Sequence, residues 1–233
     1  LLDEDFGSIV AGVRMGRRIF DNLRKVMTYI TAIHVPIVGL ALLPLLFGLP
    51  PLMLPAHVVL TEMVIDPACS LAFEGAPEDP RVMQRPPRGP GEGIVGWPML
   101  WQGLLQGGSL LAATLWIYTA ALGADRPVDV ARTLAIIGLT AGNLMLVAVN
   151  ASVGVGWRAL LAPEARAFWW VAGIASTTVG LAMVVPGIRG LLHFGQPGAV
   201  DLALAMGAVV LAVAVGAVAS RTVRRKRTEA VPA

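Results

Sequence analysis

The stretch VMTYITAIHVPIVGLALLPLLFG (Val26–Gly48) contains no lysine, arginine, aspartate or glutamate. A helix needs about 20 consecutive apolar residues to cross the hydrocarbon core of a bilayer, and this stretch is long enough. Five further apolar stretches follow it, at Leu52–Phe73, Trp97–Leu122, Thr133–Val153, Phe168–Ile188 and Val200–Ser220. The pattern predicts an all-α fold, a polytopic membrane bundle of six transmembrane helices.

The composition favours the same class of protein. Of the 233 residues, 56% are hydrophobic and only 14% are charged, whereas soluble domains carry about 25% charged residues. The single cysteine, Cys69, excludes an internal disulfide. The polar, mixed-charge start, Leu1–Lys25, does not have the pattern of a secretory signal.

The basic residues fall on one side of this predicted topology. If the N-terminus is cytosolic, every lysine and arginine except Arg126, Arg132 and Arg189 lies in a cytosolic segment. This bias follows the positive-inside rule and predicts a multi-pass protein of the cell membrane with both termini cytosolic. The tail RTVRRKR (Arg221–Arg227) is then interpreted as a topology anchor beside anionic lipid, and the net charge of +3 requires no nucleic acid partner.

Five segments follow from these spans. The N-terminal segment predicts an amphipathic helix, which either continues into the first span or lies on the membrane surface. The proline- and glycine-rich loop after the second span predicts irregular structure, either a plain linker or a docking surface. The segments are a linking helix at 1–25, an ion-binding hairpin at 26–73, a cytosolic loop at 74–96, a four-helix membrane domain at 97–220 and a basic tail at 221–233.

The stretch LTEMVIDPACSL (Leu60–Leu71) places two acids and a proline inside the second span. Glu62 and Asp66 are four residues apart and share a helix face. A charged carboxylate at mid-membrane costs about 2.5–3.5 kcal/mol on insertion scales, and no lysine or arginine lies at matching depth. Pro67 frees a backbone carbonyl, that of Met63, which is an oxygen ligand for a hard cation. The stretch predicts ion or proton binding; the alternative is that the acids are protonated packing groups.

The first and fourth spans carry further polar candidates. Thr28, Thr31 and His34 recur at three-residue spacing, and Pro36 follows them. His34 is either an interhelical hydrogen-bonding group or a functional one, which would be a ligand or a proton-exchanging group. Asn143 in the fourth span is either helix–helix glue or an amide oxygen ligand. The candidate metal-binding residues are therefore Asp66, Glu62, His34 and Asn143.

Two glycine pairs predict close helix contacts. Gly103 and Gly107 in the third span, and Gly138 and Gly142 in the fourth, have the spacing of small residues that let helices approach in lipid. This pattern predicts packing rather than chemistry.

Three stretches resemble the C-terminal membrane half of P-type cation-transporting ATPases, in particular the calcium-pump-like branch. LDEDFGSIVAGVRMGRRIFDNLRKVMTYI (Leu2–Ile30) resembles the passage from the phosphorylation domain through a linking helix into the fifth membrane helix. LTEMVIDPACSLAFEGAP (Leu60–Pro77) resembles the sixth membrane helix, and PRVMQRPPR (Pro80–Arg88) the loop after it. The resemblance is specific over Leu1–Arg88 and topological beyond.

The resemblance implies roles for the polar candidates. Asp66 falls on the central ion-binding aspartate of the family, and Glu62 on a position usually held by an ion-binding amide. His34 falls on an amide position of the fifth helix. Asn143 is one residue from a further acidic position of the eighth helix, on which Leu144 falls.

The departures from the family pattern imply one ion site at most. Ile37 stands where calcium pumps often have an acid, and Ile65 where they often have a threonine. The transported cation is therefore expected to be Ca²⁺ or another hard cation.

The DKTGT and TGE motifs and the nucleotide-binding domain of the family do not occur in this sequence, which starts at Leu1 rather than methionine. We therefore expect a fragment or split-gene product with no cofactor of its own and no ATPase activity alone. Its partners would be the lipid bilayer and an N-terminal ATPase portion, which would use ATP and Mg²⁺ in a complete pump. Two alternatives are a non-catalytic assembly or regulatory module acting through its glycine faces, and a small proton-coupled carrier.

Overall fold

A computed structural model describes residues 6–74, 78–87, 93–152, 161 and 165–229, and their side chains except at 64–71 and 223–229. Within these ranges the chain is helical and contains no strand. The helices are α1 Phe6–Leu46, α2 Pro55–Glu74, α3 Trp97–Gly123, α4 Val128–Ala151, α5 Arg166–Val184, the short α6 Pro186–Leu191, and α7 Ala199–Glu229.

Among the described residues, five helices are long and apolar enough to cross a membrane: α1, α3, α4, α5 and residues Ala199–Thr222 of α7. The 20-residue α2 takes the place of the predicted second span. The predicted all-α membrane bundle is confirmed.

The first helix is continuous from the linking segment into the membrane. It has 41 residues, with Pro36 and Pro44 inside it, and would be about 60 Å long at 1.5 Å per residue, twice the hydrocarbon thickness. Its buried face, which includes Tyr29, Ile33 and Leu40, repeats at helical spacing. Of the two alternatives for residues 1–25, the described part continues directly into the first span.

The contact between α1 and α3 depends on the first predicted glycine pair. A methyl group on Gly103 would lie 2.7 Å from Cβ of Thr31. A methyl group on Gly107 would overlap the carbonyl oxygen of Ala32, the carbonyl that Pro36 leaves without its helical hydrogen bond. The two backbones therefore meet where the α1 carbonyl is free, and only hydrogen at the Gly107 α-carbon leaves room.

Helix α4 lies at the centre of the bundle and contacts α1, α2, α3, α5 and α7. The second glycine pair also forms close contacts, since Gly142 meets Leu110 of α3, and Gly138 meets Ile117 of α3 and Val209 of α7. Both predicted glycine faces are thus occupied within the chain.

One end of the bundle, which we call the turn end, is held by hydrogen bonds to the turn between α1 and α2. The Tyr118 hydroxyl of α3 donates to the carbonyl of Pro50 (2.9 Å), and Arg132 Nη2 of α4 donates to the carbonyl of Pro51 (3.0 Å). His57 of α2 is fully buried, lies 2.7 Å from the carbonyl oxygen of Leu192 through Nε2 and stacks on Phe194. The sequence pattern did not reveal His57 and Arg132 as part of this assembly.

The opposite end, which we call the basic end, holds segment 78–87 against α1. Arg17 donates to the carbonyls of Val82 (2.9 Å) and Arg85 (2.7 Å). Arg85 in turn pairs with Asp21 of α1 (2.9 Å) and with Asp79. The segment has the irregular structure expected from its composition, and it is docked on α1 rather than extending freely.

Gly107→Ala is expected to destabilise the chain by about 1–3 kcal/mol. The new methyl group would clash with the backbone of Ala32, which cannot move aside by changing rotamer as a side chain can. Gly108→Ala is the matched control on the same helix, since a methyl group there meets nothing within 4 Å and alanine favours helix. Thermal unfolding in detergent measures both. Equal stabilities of the two variants would contradict the proposed α1–α3 contact.

Acidification is expected to loosen segment 78–87. The Arg81 backbone N–H and the Arg85 guanidinium hold the pKa of Asp79 below its usual range, so this carboxylate stabilises the fold above its unfolded pKa of about 3.9 and loses that effect as pH falls further. Hydrogen exchange of 78–87, corrected for the intrinsic pH dependence, should rise below about pH 4.

Asp79→Asn should raise exchange of the same segment at neutral pH, because the neutral amide cannot replace the ion pair. The control is Asp125→Asn, an exposed acid at the turn end whose positive φ of 55° asparagine tolerates. Unchanged exchange in Asp79→Asn would show that Arg17 and the Arg85–Asp21 and Arg14–Glu78 pairs hold the segment without Asp79.

Candidate functional site

The acids of α2 lie on a helix that packs against α1, α4 and α5. Glu62 is half-buried, and within the described residues its carboxylate accepts no hydrogen bond and forms no ion pair. Helix α2 continues through Asp66, but the side chains of Asp66, Pro67 and Cys69 lie outside the described ones. The predictions for these three side chains, including a freed carbonyl at Met63, stay predictions.

The polar side chains of α1 are hydrogen-bonded to backbone carbonyls of their own helix. Thr28 Oγ1, Thr31 Oγ1 and His34 Nδ1 each lie 2.8–2.9 Å from the carbonyl oxygen four residues earlier. The His34 ring is exposed and lines an apolar surface groove of about 600 Å³ between α1 and Leu111 of α3. Within the described part of the chain, no hydrogen bond joins His34 to Glu62 or Asn143.

Asn143 of α4 is the anomalous polar group of the bundle core. Its side chain is 1% exposed, and within the described part of the chain neither Oδ1 nor Nδ2 has a hydrogen-bond partner. A buried polar group left unpaired costs about 1–3 kcal/mol, so an amide with both ends unpaired is expected to have a use. Asn143 supplies one acceptor oxygen and one donor nitrogen, next to a helix that carries acids.

Asn150, two helical turns later on α4, shows the contrasting case. Its Nδ2 donates to Gln106 Oε1 of α3 (2.8 Å) and to the carbonyl of Leu146 (2.9 Å). Gln106 Nε2 lies 3.4 Å from Ser220 Oγ of α7, and all three polar side chains are buried. This chain of amides joins α3, α4 and α7 as helix–helix glue.

Gln106 was not among the sequence candidates. A signal existed, since it is an amide inside an apolar span one residue before Gly107, but sequence alone does not say which amides find partners. The structure separates them: Asn150 and Gln106 are hydrogen-bonded to each other, whereas Asn143 has no partner among the described side chains.

These observations define the chemistry available to the site. Among the described residues no group of three or more His, Cys, Asp or Glu side chains converges on one point. The described oxygen donors are instead the Glu62 carboxylate on α2 and the Asn143 amide on α4, on two helices in contact. Carboxylate and amide oxygens suit hard cations, with no soft-metal character.

Known proteins place this bundle in a family. The family described as "Cation transporting ATPase, C-terminus" matches residues 50–222, well over half of the chain. The chain therefore belongs to the family of C-terminal regions of cation-transporting ATPases, as the resemblance in the sequence implied.

Two relatives show the same relationship. The chain is 32% identical over 124 residues to the "Calcium-transporting ATPase" of Bacillus subtilis (strain 168), which covers 51% of this chain and 14% of the relative. It is 45% identical over 96 residues to the "Sodium/potassium-transporting ATPase subunit alpha" of Hydra vulgaris, covering 39% of this chain and 9% of the relative. In both cases the match spans only a small part of a much longer protein.

Asn143→Leu is expected to leave stability in cation-free buffer unchanged or raise it, because leucine has similar volume and removes the unpaired amide. Asn150→Leu should lower stability by about 1–3 kcal/mol, because it leaves Gln106 buried without its partner. Thermal unfolding of the two variants in parallel provides the measurement. A loss in Asn143→Leu as large as that in Asn150→Leu would mean that the Asn143 amide is already satisfied.

Proposed function

We propose that this chain is the ion-translocating membrane portion of a cation pump and that Asp66, Glu62, Asn143 and His34 take part in holding the cation. The family membership supports the pump, and the buried amide of Asn143 supports the place of the site. In this proposal the cation is substrate, and the chain holds no cofactor of its own.

The Asn143 amide is the observation that carries this proposal. A hard cation would use its Oδ1 as a ligand, and a carboxylate of α2 would accept a hydrogen bond from its Nδ2. Binding of one cation would then give both Oδ1 and Nδ2 of Asn143 a partner, and the cation would neutralise the negative charge on α2. Without a bound cation, the unpaired Asn143 amide would continue to lower the stability of the bundle.

Different observations support the assignment of each of these four residues to the site. Asp66 and Glu62 enter through their spacing and through the resemblance, and Asn143 through its burial without a partner. His34 enters through the resemblance, since its exposed ring is bonded to its own helix. We therefore assign His34 a role at the margin of the site, with the direct ligands on α2 and α4.

We propose one site rather than two. Ile37, which stands where the resemblance places an acid in calcium pumps, is buried in the hydrophobic core of the bundle. Leu144, at a further acidic position by the same resemblance, packs against that core. With apolar groups at both places, the oxygen ligands that support a second cation are missing among these described positions.

We further propose that both termini are cytosolic and that an N-terminal ATPase portion, on the same or a separate chain, supplies the energy from ATP and Mg²⁺. The charge distribution along the sequence supports this orientation. The continuous α1 supports the coupling, because a rigid helix that extends outside the membrane transmits displacement into the bundle. Docking of segment 78–87 on the same helix ties the end of α2 to that movement.

The test is cation-dependent stability of the purified full chain in detergent, with CaCl₂, MgCl₂, NaCl and KCl as separate probes. A cation at a hundred times its Kd stabilises by about 2.7 kcal/mol, which corresponds to a rise in Tm of roughly 5–10 °C for a chain of this size. Asp66→Asn and Asn143→Leu should lose this rise, since each removes a ligand.

Two control variants separate ligand loss from general damage. Asn150→Leu should lower Tm and keep the cation-induced rise, and Asp125→Asn should change neither. Retention of the full rise in Asp66→Asn, or the absence of any rise in the unmodified chain with all four salts, would refute the site.

The alternative of an assembly module acting through glycine faces loses its basis, because Gly103, Gly107, Gly138 and Gly142 are all engaged within the chain. A proton-coupled carrier would give proton flux in liposomes containing this chain alone. The pump proposal expects none without its ATP-driven part.

A further inference from the structure

A polar cavity of about 800 Å³ opens at the basic end, away from the proposed cation site. Its walls are α1, segment 78–87, the first turn of α3 and the last turn of α4. The residues that line it include Arg18, Lys25, Asp79, Arg85, Met99 and Gln102. Its volume is within the range of about 300–1,000 Å³ that is typical of small-molecule sites.

The charge on the cavity wall is unbalanced. Among the described residues, five basic and three acidic side chains line it: Arg18, Arg24, Lys25, Arg81 and Arg85 against Asp21, Glu78 and Asp79. The acids are already engaged, since Glu78 pairs with Arg14 outside the cavity, and both aspartates pair with Arg85. Positive charge is therefore left over.

The excess positive charge lies on Lys25 and Arg18. Among the described residues neither forms a hydrogen bond or an ion pair within the protein. Lys25 is half-buried, whereas Arg18 is exposed at the mouth. The two carboxylates that act on the Lys25 ammonium, Asp21 and Asp79, are already paired with Arg85. Among the described residues this partly buried charge therefore has no anion of its own, which is unfavourable unless a ligand supplies one.

The first turn of α3 is a second, independent source of positive potential in the cavity. This helix of 27 residues has no side-chain cap and no acidic residue in its first turn. Pro98 and Met99 of that turn line the cavity. Proline has no N–H and the Met99 N–H donates to the carbonyl of Gly96 (3.0 Å), so this turn contributes the helix dipole rather than hydrogen bonds. The positive end of the helix dipole is thus directed to the same space and favours an anion there.

We propose that this cavity binds a phosphate group, held by Lys25 at its inner wall, by Arg18 at its mouth and by the start of α3. The ligand class is a phosphate monoester or diester, because its negatively charged oxygens suit the ammonium of Lys25 and the guanidinium of Arg18. Two sources share this chemistry: the headgroup of an anionic phospholipid at the membrane surface, and phosphate free in solution. The site is distinct from the proposed cation site, and failure of either proposal leaves the other standing.

The experiment uses the full chain in phosphatidylcholine nanodiscs with two probes, inorganic phosphate and dioctanoyl phosphatidic acid. Tryptophan fluorescence reports binding, with Trp97 directly before the cavity-lining Pro98. Lys25→Met should weaken the affinity for a bound probe by about tenfold or more, the effect of removing a hydrogen bond to a charged group. Arg18→Gln, an exposed change that leaves the fold intact, should weaken it in the same direction.

Arg189→Gln is the matched control, since it removes the same charge from α6, outside the cavity. It should leave both affinities unchanged. Binding of the lipid alone assigns the site to a headgroup, and binding of both probes assigns it to phosphate in general; either result supports the proposal if it depends on Lys25. Binding of neither probe, or equal affinities in Lys25→Met and Arg189→Gln, overturns it.

Discussion

The close approach of α1 and α3 is the constraint on which the rest of the bundle depends. In lipid there is little hydrophobic gain from bringing two apolar helices together, so contact between them relies on shape and on backbone proximity. Gly107 lets the backbones meet at the Ala32 carbonyl, and Gly103 receives Thr31 beside it. Because α3 then carries α4 and α7 on its other faces, the position of α1 sets the position of every neighbour.

The polar groups inside the bundle divide into two kinds once these contacts are formed. Thr28, Thr31 and His34 satisfy themselves on their own helix, and Asn150 and Gln106 satisfy each other between helices. Thr28, Thr31, Asn150 and Gln106 use these bonds to stabilise the structure and are unavailable for chemistry without a rearrangement. Asn143, which has no hydrogen-bond partner within the described residues, is a different kind of group, and it lies on the central helix, which contacts α2.

The two ends of the molecule hold the α1–α2 hairpin by different physics. At the turn end, neutral carbonyls of the turn accept hydrogen bonds from Tyr118 and Arg132, an arrangement that is insensitive to salt. At the basic end, arginines and aspartates form exposed ion pairs that weaken with acid and with ionic strength. The hairpin is thus held at the turn end by contacts that do not depend on salt, and at the basic end by contacts that do.

The sequence by itself determined the class, the approximate spans and the family, because runs of apolar residues of membrane length and a pair of acids beside a proline are local features. It also indicated that the two glycine pairs would pack. It did not identify their partner helices, or distinguish Asn143 from Asn150, since both are amides in the same apolar span. Only the tertiary structure decided that Asn150 has a partner whereas Asn143 has none among the described residues, that His34 lies at the surface, and that His57 and Arg132 hold the turn end. The physical reason is that the satisfaction of a buried polar group depends on which atoms other helices bring within 3 Å or so of it, and no local pattern encodes that.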